Sequence, residues 1–181
     1  MKMLSENNKL ETITEIHNMQ SSLDLFRKQL FSDDITKCKN RLWIYKHKLS
    51  DQDTFNDFGF LVSLKISDYD IISKEYDSNV ANKLLKLVSD YMIEYMKENN
   101  LKFEIVRYRE DNFLIYMDEL NEEEVEDHLV NIQESMSNYK FKQRHKVFNL
   151  TFSFAVMQYI KNESFTSVLD QLDEKLFLNK L

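Results

Sequence analysis

Apolar positions recur along this chain with two periods, and the switches between them predict its elements. Over residues 6–31, Ile16, Met19, Leu23, Phe26 and Leu30 follow a 3-4-3-4 spacing, a short a/d seam on one helical face. Leu10 and Ile13 upstream fit that face less cleanly. Such a seam either folds onto its own domain or dimerises as a coiled coil; two to three heptads do not choose. Ser32, Asp33 and Asp34 then offer helix N-caps. A second helix is expected over 41–49, a polar connector over 50–57 and a first strand over 58–66. Ser67 with Asp70 three residues on suggests a capping box opening a short helix over 67–75. Val80, Leu84, Leu87, Val88, Tyr91 and Tyr95 mark a helical face over 79–97. A hairpin over 102–117 follows, then a helix over 122–137. A strand over 146–159 alternates Leu150, Phe152, Phe154 and Val156, and an amphipathic helix over 164–178 closes the chain. The order α-α-β-α-α-β-β-α-β-α contains a βαββαβ core. That is an α/β (α+β) plan of the ferredoxin-like, palm type, with a mainly antiparallel sheet and an added N-terminal helix.

Composition narrows the function classes. At 181 residues, 43% of them hydrophobic, the chain suits one domain with an extension: a helix over 1–32 and a domain over 33–181. A net charge of −7 with no basic run argues against nucleic acid as a partner. One cysteine, Cys38, excludes an internal disulfide and fits a reducing compartment. No stretch nears ~18 consecutive apolar residues, so a soluble cytoplasmic chain without membrane insertion is expected. With one glycine and no proline, Gly-rich phosphate loops are excluded. His17, His47, His128 and His145 show no metal-type pairing. No Ser-His-Asp or Cys-His arrangement follows from spacing, and neither a metal nor a cofactor is expected. The acidic run from Glu122 to Asp127 suits the first turn of a helix.

The most informative stretch is Arg107-Tyr108-Arg109-Glu110-Asp111-Asn112-Phe113, between Phe103-Glu104-Ile105-Val106 and Phe113-Leu114-Ile115-Tyr116-Met117. Two β-rich runs around a short polar tip read as a hairpin. The layout resembles the R-Y-G-G-D/E-E-F hairpin of GGDEF-domain diguanylate cyclases, with Arg109 and Glu110 in place of the two glycines and Asn112 in place of the second acid. Other family segments are also matched in order. Asp33, Thr36, Asn40 and Arg41 fit the opening D-x-L-T-G-L-x-N-R, whose glycine is Lys37 here. Tyr69, Ile72 and Tyr76 fit the stretch after the first strand. Ser153-Phe154-Ala155-Val156 is similar to S-I-G-V, and Leu172 to Lys180 is similar to the closing A-D-x-A-L-Y-x-A-K.

The resemblance implies a site with altered chemistry. Two family carboxylates that hold Mg²⁺ map to Lys65 and Asp111. An ammonium cannot ligate a hard cation, so Lys65 is expected near the metal's place, paired with Asp111. Two opposite charges ~4 Å apart gain ~4 kcal/mol at an effective dielectric of about 20, before desolvation. The alternative is a solvated Asp111 with Lys65 extended to the surface. The guanine-reading positions map to Ser73 and Asn82. Arg109 and Glu110 resist a tight φ > 0 turn, and Asp68 and Asp70 flank the loop where the family cradles triphosphate. The family's inhibitory R-x-x-D falls on Asn100 and Phe103, so no product site is expected there. Lys180 matches a phosphate-contacting lysine. Taken together, these substitutions lead to the expectation of a catalytically inactive member serving as a binding or scaffold module. Its partner would be another protein, or a second copy through the N-terminal helix. The alternative is a GTP or cyclic di-GMP sensor, or a residual cyclase.

Overall fold

A computed structural model describes residues 2–67, 69–76, 78–143 and 146–178. A long helix α1 (Lys2–Leu30) leads into a two-residue strand β1 (Lys39–Asn40) and a short helix α2 (Arg41–His47). The Asn40 side chain accepts from the Trp43 N–H at 3.2 Å and so caps α2. Then come β2 (Gly59–Ile66), α3 (Tyr69–Glu75), α4 (Ser78–Glu98), the hairpin β3 (Phe103–Arg107) and β4 (Asn112–Met117), and α5 (Glu122–Ser137). A second hairpin, β5 (Lys140–Gln143) and β6 (Lys146–Asn149), precedes β7 (Phe152–Tyr159) and α6 (Phe165–Leu178). The acidic run does open α5: Asn121 and Glu124 form its capping box, and three glutamates occupy the first turn.

The main sheet has the order β1-β3-β4-β2-β7, antiparallel except for the parallel β1–β3 pair. Leaving β1 aside, this is the ferredoxin-like order, with β2 central between β4 and β7. Alternation along the strands builds two cores. One face of the sheet carries Val62, Leu64, Phe113, Ile115 and Val156 against Leu84, Val88 and Met92 of α4 and Leu129 and Ile132 of α5. The other face carries Leu61, Leu114, Tyr116 and Tyr159 against Trp43 and Ile44 of α2 and Val168 and Leu172 of α6.

Three local expectations need correction. The strand expected over 146–159 is two strands. The run breaks at Leu150-Thr151, where the Thr151 carbonyl accepts from the Ser67 N–H at 2.9 Å, and β6 turns away to pair with β5. Helix α3 is described from Tyr69, the Ser67 N–H goes to the Thr151 carbonyl, and no hydrogen bond among the described residues joins Ser67 to Asp70, so the expected capping box is not formed. The first strand starts at Gly59, leaving Phe58 exposed. Asp68, His145 and Lys180 lie outside the described residues.

Candidate functional site

The ends of β2, β4 and β7 bring one row of side chains together. Register places Lys65 opposite Asn112 on one side and Ser153 on the other. Period-2 alternation continues the α2/α6 face out to this row, so its polar side chains sit where that core ends. Asp111 lies one residue before β4, and its carbonyl accepts from the Ile66 N–H at 3.1 Å. The Lys65 Nζ stands 3.2 Å from Asp111 Oδ2, with the lysine side chain 37% exposed and the aspartate side chain 12%. Asn112 is buried and donates through Nδ2 to Ser63 Oγ at 2.8 Å. The Ser153 hydroxyl is buried with no hydrogen-bond partner among the described residues.

The Lys65–Asp111 pair forms a wall shared by two cavities. A larger one of about 600 Å³ is lined by Ser67, Tyr69, Asp70, Gln133 and Ser153 together with the pair. Burial pushes the Tyr69 phenol pKa up, with the nearby acids adding to it and Arg107 opposing. A smaller one of about 220 Å³ lies between the hairpin and α6, against Arg109, Asn112, Asp173 and Phe177. Gln133 has no signal in the sequence: it sits on the apolar face of α5 and donates to the Phe152 carbonyl at 2.6 Å, which fixes it at the rim. Ser73 and Asn82 do not line either cavity. The Ser73 hydroxyl instead donates to the Asp70 carbonyl of its own helix at 3.1 Å.

The hairpin tip is wider than a two-residue turn. Tyr108 and Arg109 N–H groups both reach the Asn112 carbonyl, at 3.0 and 3.2 Å, and neither Arg109 nor Glu110 has positive φ. The expected conflict between these side chains and a primed turn does not arise, because the tip between the strands holds four residues and none of them takes positive φ. Around it, Tyr108 lies between the guanidinium groups of Arg41 and Arg109, 5.0 and 5.4 Å from its ring. Arg109 reaches Asp173 of α6 at 3.2 Å. Arg107 donates to both oxygens of Asp33 at 3.2 Å and to the Glu110 carbonyl at 3.1 Å. The Glu110 side chain is exposed.

This donor set does not suit a hard divalent cation. The hairpin's buried carboxylate is held by an ammonium, and a cation entering beside it would meet that charge first. Among the described residues, no three His, Cys, Asp or Glu side chains converge in a metal-holding group.

Comparison with known proteins gives the family. The model "Diguanylate cyclase, GGDEF domain" matches residues 30–181, so the chain belongs to the GGDEF family. Solved structures share the fold. DgcB from Caulobacter crescentus, its coiled coil and GGDEF domain in complex with c-di-GMP, matches with TM-score 0.74 at 16% identity, over 97% of this chain and 93% of that one. SiaD from Pseudomonas aeruginosa, a diguanylate cyclase in complex with its activator SiaC, matches with TM-score 0.72 at 15% identity, over 99% and 70%. The GGDEF domain of FimX from Pseudomonas aeruginosa matches with TM-score 0.64 at 15% identity, over 81% and 90%. No curated protein matches the chain. No helix among the described residues is long and apolar enough to cross a membrane.

Proposed function

We propose that this chain is a catalytically inactive GGDEF domain that acts as a protein-binding, scaffold or regulatory module in the cytoplasm. The observation that carries the reading is the Lys65–Asp111 ion pair, at 3.2 Å, on the two positions where the resemblance puts metal-holding carboxylates. Replacing a carboxylate with a cation does more than delete one ligand, because it inverts the local field. Arg109, Glu110 and Asn112 alter the rest of the hairpin, and Ser73 and Asn82 lie away from the cavity walls. DgcB was solved with its coiled coil and SiaD with an activator protein. Both relatives support a role for α1 and the domain surface in binding protein, either a partner or a second copy.

Calorimetric titration of GTP with Mg²⁺, read beside pyrophosphate release, tests this. Flat heats and no pyrophosphate are expected. Saturable binding with release would instead establish a residual cyclase. A second reading, a nucleotide sensor without turnover, is favoured by one observation: the cavity of about 600 Å³ beside Lys65 remains open. Saturable binding of GTP or cyclic di-GMP without release is its mark.

A further inference from the structure

One edge of the main sheet is only partly covered. β1 pairs with β3 in register at Val106 and Arg107 alone. The Tyr108 N–H bonds to the Asn112 carbonyl at 3.0 Å. Alternation along the antiparallel β3–β4 ladder then turns the backbone groups of Val106 and Glu104 toward β4, and those of Phe103 and Ile105 outward; the parallel register gives the Ile105 carbonyl to the Lys39 N–H, so the free outward groups are the Ile105 N–H and both groups of Phe103. Ahead of β1 the chain bends off, with Lys37 at φ 60°, so no described strand continues beside residues 103–105. An uncovered strand edge is a template for another strand.

A groove of about 300 Å³ runs along this edge. Its floor is apolar, from Ile93, Phe103 and Ile105, and its rim carries Lys28, Lys37 and Lys97. Lys39 is partnered there, 3.9 Å from Glu104. The other three lysines have no ion pair among the described residues. In a chain of net charge −7, three unpaired cations around one apolar groove are a local inversion of sign.

We propose that this edge docks an extended, acidic segment of a partner protein. The segment adds as a strand against residues 103–105 and sets its carboxylates among Lys28, Lys37 and Lys97. Strand addition takes affinity from main-chain bonds and specificity from alternate side chains. Here such a strand lies over the apolar floor with ammonium groups at its rim. A helix would leave the outward N–H and C=O of Phe103 and the N–H of Ile105 unused, and a small anion would leave the apolar floor unused. The proposal rests on the reading of the chain as a binding module, and it fails separately from that reading.

The test is amide-resolved NMR of the full chain, titrated with the end-blocked peptide Glu-Val-Asp-Ile-Glu-Val-Asp. A control peptide carries Lys at every acidic position, and inorganic pyrophosphate serves as a small-anion probe. The acidic peptide is expected to shift the amides of Lys37, Phe103 and Ile105 saturably, and more weakly as salt rises. Combining Lys37→Glu with Lys97→Glu is expected to weaken binding by about tenfold or more, while Lys83→Glu on the same helix as Lys97 changes it by less than about twofold. Thermal midpoints of the variants check that each is folded. Absence of shifts at Phe103 and Ile105, indifference to charge reversal, or equal shifts from the basic peptide would overturn the proposal. Pyrophosphate moving the same amides at lower concentration than the peptide would replace it with a small-anion site. Pyrophosphate release from GTP is scored independently, so an inactive domain that ignores the peptide is distinguished from an active enzyme.

Discussion

Lys65 neutralises at close range a carboxylate that would otherwise stand nearly buried at the end of the sheet. Truncating one partner of such a pair leaves the other uncompensated. Lys65→Asp should therefore cost about 1–3 kcal/mol, since it removes the pair and sets two acids together. It also rebuilds a pair of oxygen donors. Thermal unfolding of Lys65→Asp should move up on adding Mg²⁺, whereas the parent should not respond. An equal response from both proteins would sink the ion-pair account. The chain's one glycine, Gly59, carries a different constraint. A Cβ there would meet Asp118 Oδ1 at 2.8 Å, Tyr159 Oη at 3.0 Å and the Met117 carbonyl at 3.1 Å. The backbone oxygen cannot swing aside, and Tyr159 is fully buried, stacked on Phe55 at 4.1 Å. Gly59→Ala is expected to destabilise by about 1–3 kcal/mol in a urea titration. An unchanged midpoint would mean that β2 shifts at its start without cost.

The hairpin and the loop after α1 are locked together by Asp33, and this lock is sensitive to acid. Partial burial alone would raise the Asp33 carboxyl pKa, but the Thr36 N–H and hydroxyl and the Arg107 guanidinium more than offset it, leaving it below the usual value. A depressed folded-state value contributes stability above the unfolded-state pKa, about 4, and that contribution is lost as pH falls through the folded value. Denaturant midpoints of the parent should drop on acidification below about pH 4, and those of Asp33→Asn should drop less. Parallel curves would show that other carboxylates govern the acid limb. Asp33, Thr36 and Arg107 were legible as motif letters, but their joint role was not, because residues 74 apart in sequence meet only once β1 and β3 pair. The helices α4 and α5 were legible because each has one continuous apolar face. The β5–β6 hairpin was not, since alternation marks a strand without naming its partner. The tip of the main hairpin is illegible for a similar reason, since its length is set by where the strands stop pairing. Side chains in place of glycine at Arg109 and Glu110 imply strain only in a two-residue turn, and the four-residue tip between the strands has none at positive φ.

At the scale of the whole molecule, α1 is the element that the domain leaves unexplained. Ile16, Met19, Leu23, Phe26 and Leu30 are 43–67% exposed, so the seam makes little contact with the domain in this structure. Of the two alternatives open from spacing, we propose packing against another chain, which these exposures favour. A fully buried apolar side chain of this size contributes about 1.5–3 kcal/mol, and association costs about 4–15 kcal/mol in lost freedom. A seam this short therefore lies near the threshold for a stable pair of helices, and self-association should depend on concentration. Light scattering of the full chain is expected to show monomer and dimer in exchange. Leu23→Glu combined with Phe26→Glu should shift the population to monomer. Because both side chains are already exposed, the thermal midpoint of the domain should move by less than about 0.5 kcal/mol in stability. A large loss of stability would mean that the seam packs on the domain in solution. A parent that stays monomeric at every concentration would assign the seam to a different protein. The docking surface of the molecule would then extend from the α1 stripe to the lysine-rimmed groove at its foot, which Lys28 and Ser32 share with the sheet edge.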